Sequence, residues 1–543
     1  MSWSKILIRT AIGATTILLG TVGFGIYLMY PAFETPSPPQ FPAPASRTEE
    51  HRQDLAYLSQ TLHQMDRSFS VGEWRTFDLR IDELAARAES LDAAAFEMGI
   101  ANAVAAGGNG HTNVLGALRG LTLNSIPLRF YWFAEGLHVV KVDPAYVDLL
   151  GAKVLRFGGV TPAELVNASV SYVGGSASLA RELAVYAMES PQTLHAMRLI
   201  GSSSSAVLTL ETLDGQFVER KIMALPVPAN GPPENTARSS TFDRRELRWP
   251  RRELSPVPLP GQADYPEPIG DGREWAHVLD HRNVAFTLQN PNRFYWAAYP
   301  AGEKILFVQI NALIDQPGQP PLEAFLDTTL AEAAGNEPQS AIIDLRSNPG
   351  GSYLHAVEFT RRLPEVLAQG GKIFILTSGN TFSAGLITAA RLKYFAGSRS
   401  EIVGEPMGDA PQFWAEGATR ITLPNSGLRI GYATGYHDWQ SGCSMSQIFV
   451  CHLPNQWLGV AAGDLTPTMP VAWSFADFLE GKDTALETIM QRLGANLPEQ
   501  TARIRENAPH TSVLASEQTL RLRTQHPNAR VPCRTDNVLL SPH

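Results

Sequence analysis

The amino-acid sequence predicts a multidomain α/β fold, and three observations carry that prediction. The chain has 543 residues, a length that suits about three or four domains. The apolar period changes along it, helical up to Ala106 and alternating from Pro127. Between Ser340 and Leu386 an apolar run (AIIDLR), a glycine turn (SNPGG), a helical stretch (HAVEFTRRLPEVL) and a second apolar run (KIFILT) succeed one another. That order is the crossover of a parallel strand pair.

Residues 1–10 hold Lys5 and Arg9 and are expected in the cytoplasm. Residues 11–30 (AIGATTILLGTVGFGIYLMY) carry no charge and have the length of a bilayer-spanning helix. Basic residues before the span and none soon after it place the rest of the chain outside the cytoplasm, as a single-pass protein of the inner membrane with a periplasmic body. A cleaved signal peptide is the alternative, since PAPAS near Pro44 offers small residues for cleavage. An apolar core of about 20 residues is longer than the roughly 7–15 typical of signals. Residues 31–48, rich in proline, read as a semi-rigid tether.

From 49 to 126 apolar residues recur at three and four (Leu55, Leu58, Leu62 and Met65, then Leu79, Ile81, Leu84, Leu91, Phe96, Ile100 and Val104), which predicts a helical N-terminal domain. From 127 to 225 short alternating runs broken by Gly, Asp and Asn predict a β-rich module. Residues 226–285 are dense in Pro and charge and read as a connecting insertion, 286–495 as the α/β core that opens on the aromatic strand pair around Tyr295, and 496–543 as a polar tail.

A net charge of −9 offers no basic patch for nucleic acid. The chain has no HExxH motif and no spaced Cys/His cluster, so neither metal nor cofactor is expected. Of three cysteines, Cys443 and Cys451 lie close enough to close a small loop in an oxidising compartment, and Cys533 is left over.

Parallel sheets carry their chemistry at the carboxyl ends of their strands, where both NPGG and TFSAG fall. Successive glycines let N–H groups face a ligand, and a serine just before a helix can attack a carbonyl whose oxyanion those groups hold. Either motif alone is as well explained by a turn or a helix cap. His111, between glycine and threonine, has the composition of a turn residue.

Together DLRSNPGG and TSGNTFSAG resemble the C-terminal processing peptidases and the tricorn-core peptidases. The resemblance extends over most of residues 50–495, through the GEP turn at Glu405, LPNSG at Asn425 and GKD at Lys482. It implies a crotonase-like (ClpP-like) core, a PDZ-like character for the β-rich module, Ser383 as nucleophile, and the N–H groups of Ala384 and of Gly350 or Gly351 as oxyanion hole. A motif resembling DGHT nominates His111 as base, with Asn109 in place of the aspartate. The lysine base of the processing peptidases is missing: GEPMGDAP holds none, and Lys393 lies about 15 Å along the same helix as Ser383. Glu405, Asp409, Glu416 and Asp438 are candidate orienting acids, with Glu416 first by position and Asp438 second, and His437 is the rival base. An unperturbed imidazole base implies activity rising through about pH 6–7. The implied function is a membrane-anchored serine endopeptidase acting on peptides or protein tails. The alternative is a non-proteolytic protein on the same fold, either a binder of hydrophobic ligands, as in the interphotoreceptor retinoid-binding protein branch, or an interaction protein.

Overall fold

The computed structural model describes residues 39–114, 122–226, 275–417 and 420–497, with Thr15 and Gly20 in addition. The expected anchor apart from Thr15 and Gly20, residues 31–38 of the tether, residues 227–274 of the insertion, and the tail from 498 with Cys533 lie outside the described residues. Among the described residues no helix is long and apolar enough to cross a membrane.

Three helices open the described chain: α1 (Arg47–Met65), α2 (Val71–Ala86) and α3 (Ala93–Val104). Each starts on a side chain that accepts an otherwise orphaned N–H, namely Ser46, Ser70 and Asp92, and Ser70 with Glu73 completes a reciprocal capping box. Five antiparallel strands follow in sequential order: β1 (Leu128–Phe133), β2 (Gly136–Val142), β3 (Lys153–Phe157), β4 (Ser205–Glu211) and β5 (Phe217–Met223).

Between β3 and β4 the alternating reading fails, for residues 162–196 form α4 (Pro162–Val173), α5 (Ala177–Met188) and α6 (Pro191–Ala196). Local start signals outweigh the apolar alternation there. Thr161 and Glu164 make a capping box with Pro162 in the first turn, and Ser176 caps α5. The helical and β-rich segments also share one hydrophobic core, in which Leu58, Phe96 and Ile100 belong to the same buried cluster as Phe130, Val139 and Leu208.

The second half is built on a six-stranded sheet of β6 (Tyr295–Ala298), β7 (Ile305–Ile310), β8 (Ser340–Asp344), β9 (Lys372–Thr377), β10 (Ser400–Gly404) and, after the hairpin pair β11 (Gln412–Ala415) and β12 (Gly435–Asp438), β13 (Met469–Pro470). The order is β13-β10-β9-β8-β7-β6, parallel except for the β6 edge. Every residue of β7 and β8 is buried, as a sheet covered on both faces requires. Helices α7 (Leu322–Asn336), α8 (Val357–Val366) and α9 (Ala384–Ala396) contribute to the core on one face, and α10 (Thr484–Arg492) covers the other.

Arg346, just past β8, ties that last helix to the glycine turn. Its guanidinium donates to Asp344 at 2.8 and 3.0 Å and to Asp483, the N-cap of α10, at 2.7 and 2.9 Å, and both carboxylates are buried. Cys443 and Cys451 are joined by a disulfide that closes the loop after β12.

Candidate active site

The crossovers β8–α8–β9 and β9–α9–β10 bring the glycine turn and the serine turn together at the carboxyl ends of β8 and β9. Asn348 stitches them: its carbonyl accepts from Phe382 N–H at 2.9 Å, its Nδ2 donates to the Ile310 carbonyl at 2.9 Å, and its Oδ1 accepts from Gly350 N–H at 2.9 Å. Thr381 Oγ1 donates to the Leu345 carbonyl at 2.9 Å and accepts from Ser378 N–H at 3.0 Å.

So held, Ser383 caps α9 with φ 54° and ψ −123°. This left-handed conformation costs a non-glycine residue about 1–3 kcal/mol and persists only where surrounding bonds over-determine it. Two glycines make room for the turn. A Cβ on Gly350 would stand 2.9 Å from Ser383 Cβ and 3.3 Å from its Oγ, and one on Gly385 would stand 2.7 Å from the Asn348 carbonyl oxygen. Gly351 is pressed against the Leu313 carbonyl in the same way.

His111 arrives from the other hydrophobic core. Its ring stacks on Phe382, the neighbour of Ser383, at 4.4 Å between centroids, and on Phe413 of β11 at 5.2 Å. Asn109 does not touch the imidazole. It braces the turn instead, with Nδ2 on Thr112 Oγ1 at 3.1 Å, while that hydroxyl gives its single proton to Asp66 at 2.6 Å. A donor is therefore needed at position 109, which an amide supplies and a carboxylate does not. Asp66, unmarked in the sequence, also accepts Ala433 N–H at 2.9 Å and so pins the His111 turn to the segment leading into β12.

Asp409 is the acid that reaches His111, with Oδ2 3.6 Å from Nδ1. Both imidazole nitrogens and this oxygen are buried and make no hydrogen bond. Burial pushes the Asp409 carboxyl well above its usual range, against the pull of the Ser383 and Ala410 N–H groups. Burial, assisted by the field of His437, lowers His111 to about 3. The imidazole is thus uncharged at neutral pH, and the rise through pH 6–7 expected for an exposed histidine is moved far to the acid side.

Glu416 stands elsewhere than its first rank as orienting acid anticipates. It has φ 69°, and its Oε1 accepts from His437 Nε2 at 3.1 Å and lies 3.8 Å from His452 Nε2. Burial alone would raise its carboxyl, but the His437 hydrogen bond and the neighbouring histidines bring it down to about 2. His437 is separated from His111 by the Phe413 ring, which stacks on both. Glu416, His437 and His452 have the composition of a metal site. The wiring of His437 is the reverse of a ligand's: Nδ1 accepts from Trp439 Nε1 at 3.3 Å and from Asn455 Nδ2 at 2.8 Å, so the proton sits on Nε2, facing Glu416.

The other candidates are engaged in structure. Glu405 pairs with Arg181 at 2.7 Å, Asp438 accepts the N–H groups of Gln440 and Ser441 at 3.1 and 2.7 Å, and Lys393 donates to carbonyls of Ala462 and Asp464. Ser383, Ala384 and Gly350 therefore meet at one point beside Gly351, with Asp409 and His111 next to them, and Glu416 lies one ring further away.

No family model matches the chain, and no curated protein does. Among solved structures, mature CPAF is similar at 13% identity and a TM-score of 0.49, over 82% of this chain and 96% of that one. CPAF complexed with lactacystin is similar at 12% identity and a TM-score of 0.48, over 82% and 97%. The photosystem II D1 C-terminal processing protease is similar at 11% identity and a TM-score of 0.31, over 79% and 94%. At such values the residues of the site, and not the likeness, carry the functional reading.

Proposed function

We propose that the chain is a serine endopeptidase of peptides or protein tails, held by residues 11–30 in the inner membrane with its body in the periplasm. The observation that carries the chemistry is the Ser383 elbow. A non-glycine residue is kept at φ 54° with Gly350 against its Cβ, and its N–H faces the carboxyl that lies 3.6 Å from His111 Nδ1.

In this reading Ser383 Oγ attacks the scissile carbonyl, and His111 takes its proton and returns it to the leaving amine. Asp409 orients the imidazole. Because Asn348 Oδ1 already takes Gly350 N–H, the oxyanion falls to the N–H groups of Gly351 and Ala384. The unpartnered buried nitrogens of His111 support a role completed by substrate, since catalytic hydrogen bonds often tighten only in the complex.

The test is labelling with a fluorophosphonate, which needs no knowledge of the substrate, alongside cleavage of an unfolded protein. Ser383→Ala should abolish both. His111→Ala should reduce both by about a thousandfold or more, and the double variant should be hardly worse than either single. A folded wild-type chain whose Ser383 resists the reagent would sink the enzyme and favour the ligand-binding alternative.

A further inference from the structure

The loop after β12 carries six large apolar side chains in the open. Met445, Phe449 and Trp457 are 78, 76 and 74% exposed, and Ile448, Val450 and Leu453 stand partly clear beside them. So dense an apolar face on a short segment marks a docking surface. Three features decide what it docks on.

The first is charge. Between Asp438 and Asp464 the sequence contains no Asp, Glu, Lys or Arg. A protein-binding patch is ringed by polar and charged groups that set register, whereas a segment whose tip enters the acyl chains is penalised for each charge it carries there.

The second is the backbone. Gln447 N–H bonds to Ser444, Val450 and Cys451 N–H to Gln447, Asn455 N–H to His452, and Trp457 N–H to Pro454, all through carbonyls of the same loop at 2.7–3.2 Å. The edge of β12 is covered as well, since Tyr436 N–H takes the Val450 carbonyl and His452 N–H takes that of Tyr436, both at 2.8 Å. The β12 edge is thus taken and not open to a strand-adding partner, and lipid favours backbone that is bonded within its own segment. The disulfide Cys443–Cys451 and buried Asn455, bonded to Tyr353 and His437, hold the tip in shape.

The third is reach. Residues 11–30 are uncharged and span-length, and the proline-rich residues 31–46 that join them to α1 reach about 50 Å at ~3.1 Å per residue. A body on so short a lead stays beside the bilayer.

We infer that the loop Cys443–Leu458 is a membrane-docking tip that seats Met445, Phe449 and Trp457 at the boundary of headgroups and acyl chains. This rests on the membrane part of the proposed function and not on its chemistry. Trp at that depth keeps its N–H wet and its ring apolar. With the tip seated, β12 lies directly behind it, joined through the Asn455–His437 hydrogen bond.

The experiment uses the full chain in phosphatidylcholine vesicles with and without brominated acyl chains. The difference in emission between wild type and Trp457→Phe isolates Trp457. Bromine should quench that component at least about twofold, and acrylamide should leave it nearly untouched. Quenching by acrylamide and not by bromine overturns the proposal. Shielding from both, with a concentration-dependent dimer that Met445→Ser/Phe449→Ser/Trp457→Ser abolishes, assigns the face to a second copy and overturns it equally. Alkaline carbonate extraction tests the anchor separately. If carbonate strips the chain, vesicle binding reads the tip alone, and the triple serine variant should bind about tenfold or more weakly than wild type; equal binding also overturns it.

Discussion

Replacing Gly350 with alanine tests the proposed site at its tightest point. Gly350 has φ 121°, a conformation that costs an L-residue about 1–3 kcal/mol. Its new Cβ would lie 2.9 Å from Ser383 Cβ, about 0.6 Å inside the ~3.5 Å lower end of favourable carbon contacts. Neither side can retreat freely, because Asn348 holds Gly350 N–H and Phe382 N–H at once. The strain and the overlap together should cost about 2–4 kcal/mol of stability. Displacing the serine by a few tenths of an ångström to 1 Å should slow its chemistry about a hundredfold. Gly370→Ala is the control: φ is 77° there and nothing lies within 4 Å of the added Cβ, so it should cost about 1–2 kcal/mol and leave chemistry alone. Urea denaturation gives the first quantity and the rate of fluorophosphonate labelling the second. A Gly350→Ala protein that is folded and labels at the wild-type rate refutes the reasoning, because the wall against which Ser383 is aimed would then be irrelevant.

Labelling of Ser383 should show no midpoint near 6.5 from His111, whose ring burial holds at about 3; a midpoint near 6.5 that persists after Asp409→Asn removes the raised carboxyl would mean that the ring is solvated. The same depression has a stability sign. Between pH 6.5 and 3 the unfolded chain takes a proton that the buried imidazole refuses, so His111 makes the fold less stable as pH falls through that window. Asp483→Ala should cost about 3–5 kcal/mol in urea denaturation, because it strips one of two buried carboxylates from Arg346 and uncaps α10. A loss under about 1 kcal/mol would show that Asp344 alone suffices.

Legibility followed the range of each interaction. The α1 stripe of Leu55, Leu58, Leu62 and Met65 is a period within one helix and is readable without a partner; all four are buried. TFSAG and SNPGG are readable because an elbow demands small residues at particular places, and Gly350 and Gly385 meet Ser383 and Asn348 where a Cβ would not fit. Helices α4 to α6 were missed because apolar alternation was weighed above the Thr161-Pro162 and Ser176 start signals. The acid was ranked by distance along the chain, which says nothing about which way a loop turns. Asp409 faces His111, and Glu416, seven residues later, lies behind the Phe413 ring. Asp66 was invisible for the same reason: its partners Thr112 and Ala433 are 46 and 367 residues away.

His111 and Ser383 are carried by different elements, and the seam between those elements joins apolar clusters, such as Phe133 and Val140 with Trp473, Phe475 and Phe478, to a set of polar contacts. Arg181 meets Glu405 at 2.7 Å, Ser176 Oγ meets the Gly408 carbonyl at 2.7 Å, and Asn380 Nδ2 meets Glu182 at 2.6 Å, with the Glu182 carboxyl raised to about 7 by burial. Competence is then a property of the joint rather than of either half, and anything that loosens or tightens the joint acts as a throttle without touching a catalytic atom.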